Sequence, residues 1–100
     1  MSSGFDPIIH PLNRLQICAL LAPIDEMEFS LIREELQVSD SVLSKQLRYL
    51  EEAGYIQPRK ANQGGRQRTW LSLTKTGRKA FAGHVRALQE VAEQADLLGN

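Results

Sequence analysis

Gly64-Gly65 divides two strand-like runs, and the first of those runs begins directly after a helix closed by Gly54. That order constrains the fold more than any other feature of the chain. The helix reads from about Asp40 to Ala53, with Ser39 as its cap and Gly54 as its stop. Its apolar residues Leu43, Leu47 and Leu50 make a narrow stripe at helical spacing. The opposite face carries Ser41, Lys45, Arg48 and Glu52, flanked by Ser44 and Tyr49. Tyr55 to Lys60 then reads as a strand, with Pro58 marking it as an edge. Asn62-Gln63-Gly64-Gly65 is a turn. Arg68 to Leu73 alternates, with Thr69, Leu71 and Leu73 on one face and Trp70 and Ser72 on the other. A helix that docks by a narrow stripe keeps its polar face open, and a hairpin stands immediately beside it.

The flanking segments complete a small bundle. Leu12, Leu15, Ala19 (or Cys18) and Ala22 follow the helical period, which predicts a first helix from about Pro11 to Ala22, after an irregular lead-in over Pro7 to His10. Asp25 to Phe29 is short and suits a brief strand. Ser30 is the expected cap of a second helix with Leu31, Ile32 and Leu36 on its apolar face. Thr74 is the expected cap of a last helix from about Lys75 to Leu98. Phe81, Val85, Leu88, Val91, Ala95 and Leu98 repeat along that helix at a three-four spacing. A helix of roughly 24 residues is about 36 Å long, whereas a domain of this size has a radius of gyration of about 13 Å. Part of the stripe therefore lacks cover within one subunit, and a second copy of the helix is the expected partner. The fold expected from this order is mainly α with a small β-hairpin (α+β). It is a winged helix-turn-helix with a long C-terminal dimerisation helix, in one domain spanning residues 1–100.

Charge completes the pattern. The 100 residues balance 12 Lys+Arg against 12 Asp+Glu, a total that looks unlike a nucleic-acid protein. The distribution reverses that impression. Residues 1–43 carry −5, residues 44–86 carry +8, and residues 87–100 carry −3. The positive block coincides with the third helix, the hairpin and the start of the last helix.

A helix lying in the major groove needs short donors and bidentate cations on its open face. Ser39, Ser41, Ser44, Lys45 and Arg48 supply them, and Val42, at the edge of that face, can touch a thymine methyl or join the core. The hairpin adds Arg59, Lys60, Arg66 and Arg68 without an intervening acid, and its glycines permit close approach to phosphate or the minor groove. Double-stranded DNA is the expected partner. The alternative is a winged-helix module that docks an acidic protein through the same face.

Two segments carry a family resemblance. Phe29 to Gly54, running into Leu50-Glu51-Glu52-Ala53-Gly54-Tyr55-Ile56, resembles the helix-turn-helix of MarR-like transcriptional regulators. Leu73-Thr74-Lys75-Thr76-Gly77-Arg78 resembles the step from wing to last helix in the same proteins. The similarity is to their small, single-domain members and covers Asp6 to about Leu98. It implies a homodimer on a pseudo-palindromic operator, recognition by Ser41, Ser44, Lys45 and Arg48, and a wing tip at Arg66. Larger members have extra helices at both ends and an effector pocket between their dimer and DNA domains. This chain has only a short N-terminal helix and one long C-terminal helix, which leaves a small-molecule effector open.

Other chemistries find little footing. One cysteine allows no intrachain disulfide, and Cys18 sits on or beside the first helix's stripe, where core packing is expected. His10 and His84 are 74 positions apart with no companion ligands nearby in sequence, so no metal is expected. No catalytic spacing or Walker-type motif is present; neither enzyme activity nor a cofactor is expected. The apolar run Ile17 to Ala22 is too short for a membrane span, and Met1-Ser2-Ser3-Gly4 opens no signal peptide. The expected location is cytoplasmic. Trp70 can pack under the wing, against the last helix or against a partner.

Overall fold

The computed structural model describes residues 4–96. Helix α1 (Leu12–Leu21) leads to strand β1 (Met27–Glu28), helix α2 (Phe29–Leu36) and helix α3 (Asp40–Glu52). The hairpin strands β2 (Ile56–Gln63) and β3 (Arg66–Leu73) follow, then helix α4 (Lys75–Gln94). The sheet is antiparallel in the order β1-β3-β2. Pro58 lies in β2, which pairs on one side only, so its missing N–H costs no ladder bond.

One core holds these elements together. Ile9, Ile17, Cys18, Leu21, Ile32, Leu43, Leu47, Leu50, Ile56, Leu71 and Leu73 are buried in a single cluster. The stripe of α3 enters it as the sequence spacing requires. Burial pushes the Cys18 thiol up to about 12, helped by the charge of Asp6, so the sulfur acts as a small apolar filler.

Local chemistry sets the boundaries. The Ser39 hydroxyl accepts from the Val42 N–H at 3.2 Å and caps α3. At the other end Gly54 takes φ 79°. The Tyr55 N–H then reaches the Leu50 carbonyl at 2.9 Å, and the Gly54 N–H reaches Glu51 at 2.9 Å, a Schellman closure. Gly64 and Gly65 both have positive φ, 60° and 79°, which gives the hairpin a two-residue turn matched to strand twist.

Three boundaries differ from expectation. The cap of α2 is Glu28, whose carboxylate accepts from the Ser30 N–H at 3.2 Å, whereas Ser30 lies inside the helix and donates its hydroxyl to the same carboxylate. The strands extend to Gln63 and from Arg66, because the turn needs only the two glycines. Regular α4 stops at Gln94 with Ala95 as its cap and Asp96 at φ 61°. Leu98 lies outside the described residues.

The domain is long rather than round, with extents of 53 × 24 × 22 Å and a radius of gyration of 15.0 Å. The outer parts of the hairpin and of α4 are the least buried segments of their elements. Among the described residues no helix is long and apolar enough to cross a membrane.

Candidate nucleic-acid interface

The exposed side of α3 is built by subtraction. Leu43, Leu47 and Leu50 commit one face to the core, so Ser41, Ser44, Lys45 and Arg48 are left exposed together. Neither Lys45 nor Arg48 has a carboxylate partner among the described residues. A shallow groove along this face is lined by Lys45, Arg48, Tyr49 and Glu52. Val42 is 38 % exposed at its edge. Ser39 is exposed too, but its oxygen is engaged as the helix cap and lies 3.2 Å from the Ser41 hydroxyl. The start of α3 is braced by α2, since Arg33 Nη1 lies 2.6 Å from the Asp40 carboxylate. The left-handed Gln37, at φ 57°, turns the chain between the two helices.

The wing divides its four cations. Lys60 and Arg66 are exposed without an acid partner among the described residues. Arg59 forms a two-point ion pair with Glu26, with Nε 3.1 Å from Oε2. That reach crosses β3, because Arg59 on β2 and Glu26 beside β1 flank it on opposite sides. The guanidinium passes 5.7 Å from the Trp70 ring centroid, which places the tryptophan under this clasp on the outer face of the sheet. The Arg59 hydrogen bond holds the Glu26 carboxyl below its usual range. Arg68 lies 3.6 Å from the Glu28 carboxylate. Burial pushes Glu28 up, but the Ser30 hydrogen bonds and the charges of Arg68 and Arg33 outweigh it and keep it ionised. The hairpin sequence holds no acid, yet β1 and the residue before it bring two. An open depression beside the wing is lined by Glu28, Gln63, Gly64, Arg66, Arg68 and Trp70.

The expected dimer residues spread along α4. Phe81 packs against the core of its own subunit, and Val85 and Leu88 are half-buried. Val91 is 49 % exposed, and Ala95 is exposed at the helix end. The uncovered part of the stripe is therefore its distal half.

Sequence reasoning missed two side-chain constellations. Arg14 on α1 stacks over Tyr49 of α3, with the guanidinium carbon 4.2 Å from the ring centroid. His10 and His84 meet, Nδ1 to Nε2, at 3.2 Å despite their separation in sequence. In the first, each residue flanks the apolar stripe of its own helix, but no sequence pattern says that the two flanks meet. The second has no sequence signal, because it depends on where the lead-in docks. Among the described residues no three His, Cys, Asp or Glu side chains converge as a metal set.

A three-helix unit that exposes the polar face of its third helix, followed by a basic hairpin, defines a winged helix-turn-helix. The chain belongs to the winged helix DNA-binding domain family, whose model matches residues 13–92. An uncharacterized protein of Methanocaldococcus jannaschii is 29% identical over 89 residues, 89% of this chain and 97% of that protein. The solved structure of a transcriptional regulator homologue from Pyrococcus horikoshii OT3 superposes with a TM-score of 0.84 at 28% identity, covering 90% of this chain and 89% of that one. HlyU from Vibrio cholerae N16961 gives 0.65 at 25% identity, with 81% and 83% covered.

Proposed function

We propose that this protein is a sequence-specific transcriptional regulator that binds double-stranded DNA as a homodimer. The observation that carries the reading is the open face of α3, where Lys45 and Arg48 stand without acid partners among the described residues, beside Ser41 and Ser44. Arg48 can donate to guanine O6 and N7 in two-point fashion, and Lys45 can donate to the same atoms as a point charge. Ser41 and Ser44 reach bases or phosphates over short distances, and Val42 offers a methyl contact. Lys60 and Arg66 of the wing seek phosphate or the minor groove. Arg59 and Arg68 serve the interface in a second way, by fixing the hairpin's pose through their acids on the β1 side. The distal α4 stripe, Leu88 to Ala95, pairs two copies, so that two α3 helices address two half-sites. The likeness to a transcriptional regulator homologue from Pyrococcus horikoshii OT3 supports the same reading.

The test is selection of bound fragments from the host genome, followed by Lys45→Ala combined with Arg48→Ala. The selected operator should show two half-sites about one helical turn apart. The double variant should lose the preference for it. Unchanged operator binding by that variant would remove α3 from the groove.

A further inference from the structure

Arg14 is one of two cations in the acidic first 43 residues, and the only one of the two not spent on an acid. Its guanidinium is instead fixed by neutral acceptors. Nε donates to the Ile8 carbonyl at 2.6 Å, and Nη1 donates to Gln46 Oε1 at 3.0 Å. The plane so fixed lies against the Tyr49 ring at 4.2 Å. Tyr49 is 41 % exposed and lines the groove that also holds Lys45 and Arg48. The ring is partly exposed, stands next to two cations with no acid partner among the described residues, is backed by a third, and takes no part in the core cluster. The same ring, held in one rotamer before a ligand arrives, loses little freedom on binding.

We propose that Tyr49 is a specificity-determining residue of the DNA interface, reading a base edge or thymine methyl at the flank of α3, and that Arg14 is its positioning residue. The proposal rests on the reading that α3 enters the major groove. A tyrosine hydroxyl donates and accepts, and the ring edge offers apolar contact to a methyl. Arg14 acts from behind the ring. The arrangement explains why a long α1 side chain is held by a backbone carbonyl and an α3 glutamine at once: both anchors fix the guanidinium plane, and the plane fixes the ring.

The experiment measures affinity for the selected operator and for operators substituted at each position, over a salt series. Tyr49→Ala should weaken the preferred operator roughly five- to 150-fold, the range of one lost base contact. It should also flatten the preference at one position in each half-site, with the salt slope unchanged. Arg14→Ala should weaken binding in the same positional pattern, and it should add nothing further in the Tyr49→Ala background. Arg14→Lys keeps the charge without the planar stack and should resemble Arg14→Ala; it also serves if the alanine variant melts early. A uniform loss across all operators, or no loss, on removing Tyr49 overturns the specificity role. Additive losses, or a salt slope shallower by about one unit for Arg14→Ala, overturn the positioning role in favour of a direct phosphate contact. Loss of binding by the Lys45/Arg48 double variant with an unaffected Tyr49→Ala would overturn this inference alone, leaving the α3 reading intact.

Discussion

His84 Nε2 lies 3.2 Å from His10 Nδ1, and this contact pins the N-terminal lead-in to the last helix. The other ring nitrogen of His84 accepts from the Asp6 N–H at 2.9 Å. Neutral His84 therefore carries its proton on Nε2 and donates it to His10. A proton added at Nδ1 would oppose the Asp6 N–H, in a side chain with no solvent exposure. Asp6 spends its carboxylate on the Ile8 N–H at 2.8 Å and on the Tyr55 hydroxyl, which ties the same lead-in to the end of α3. The Asp6 hydrogen bond, with burial and the charges of Asp6 and Cys18, pushes the Tyr55 hydroxyl up to about 12, so it stays a donor.

This geometry makes stability depend on pH. Burial and the neighbouring His10 hold the His84 pKa below its usual 6.5, against the pull of Asp6. The unfolded chain then binds the proton more readily than the folded one. Stability is complete above about pH 6.5 and is lost as pH falls through the lower folded value. Melting curves from about pH 7.5 to pH 5 should show a falling Tm for the natural chain. His84→Gln, whose amide oxygen can still accept from Asp6, should flatten the low-pH fall. Equal slopes for both proteins would disprove the assignment.

The wing makes a second prediction through its acids. Glu26 and Glu28 engage Arg59 and Arg68, leaving Lys60 and Arg66 as the wing cations without an acid partner among the described residues. Replacing both glutamates by glutamine releases two guanidinium groups. Each new phosphate contact steepens the dependence of log K on log salt by about 0.9. The variant should thus bind DNA of any sequence more tightly at low salt, with a slope steeper by up to about two units and weaker discrimination between operator and other DNA. A slope unchanged from that of the natural chain would mean that the two arginines do not reach DNA even when free.

A third prediction concerns Gly77, in the first turn of α4. A Cβ built there would lie 2.1 Å from the Tyr55 carbonyl oxygen, backbone that cannot swing aside as a side chain can. That carbonyl also accepts the Thr74 N–H at 3.0 Å, and the Thr74 hydroxyl both donates to the Gly54 carbonyl at 2.6 Å and accepts from the Gly77 N–H at 3.0 Å. Gly77→Ala must therefore separate α4 from the end of α3. Overpacking of this kind costs about 1–3 kcal/mol, which denaturant unfolding at neutral pH will resolve. Gly54→Ala is the informative comparison: no atom lies within 4 Å of its Cβ position, so only the φ of 79° resists.

Local signals carried most of the fold into the sequence. The stripe Leu43, Leu47 and Leu50, the Ser39 cap and the Gly54 stop define α3 because each acts within a turn or two of itself. Gly64-Gly65 locates the hairpin for the same reason. What stayed hidden depends on distance or on competition. Glu28 takes the α2 cap because the helix begins at Phe29, so its carboxylate accepts from the Ser30 N–H and Ser30 falls inside the first turn. Gln37 adopts a left-handed backbone that its residue type does not advertise. The Glu26–Arg59 clasp, the Arg14–Tyr49 stack and the His10–His84 pair join residues 33, 35 and 74 positions apart, where no periodicity operates. The open face of α3 was legible; the division of the wing cations was not, since their partners lie in another strand.

The last prediction concerns the distal half of α4. Phe81 is committed to its own core, whereas Leu88 is half-buried and Val91 is 49 % exposed. The part of these side chains that is still exposed loses water only if a second subunit covers it. Leu88→Glu places a charge in that contact, and a desolvated charge without a partner is strongly disfavoured. The natural chain should sediment as a dimer at micromolar concentration, and Leu88→Glu as an 11.2 kDa monomer. The monomer should keep its helical signal, because Leu88 lies outside the core cluster. Its operator affinity should fall by about two orders of magnitude or more, the gain that linking two half-site contacts supplies. Binding to a single half-site should be nearly unchanged. Equal losses on half-site and full operator would instead mean that Leu88 supports the fold of the DNA-binding unit itself.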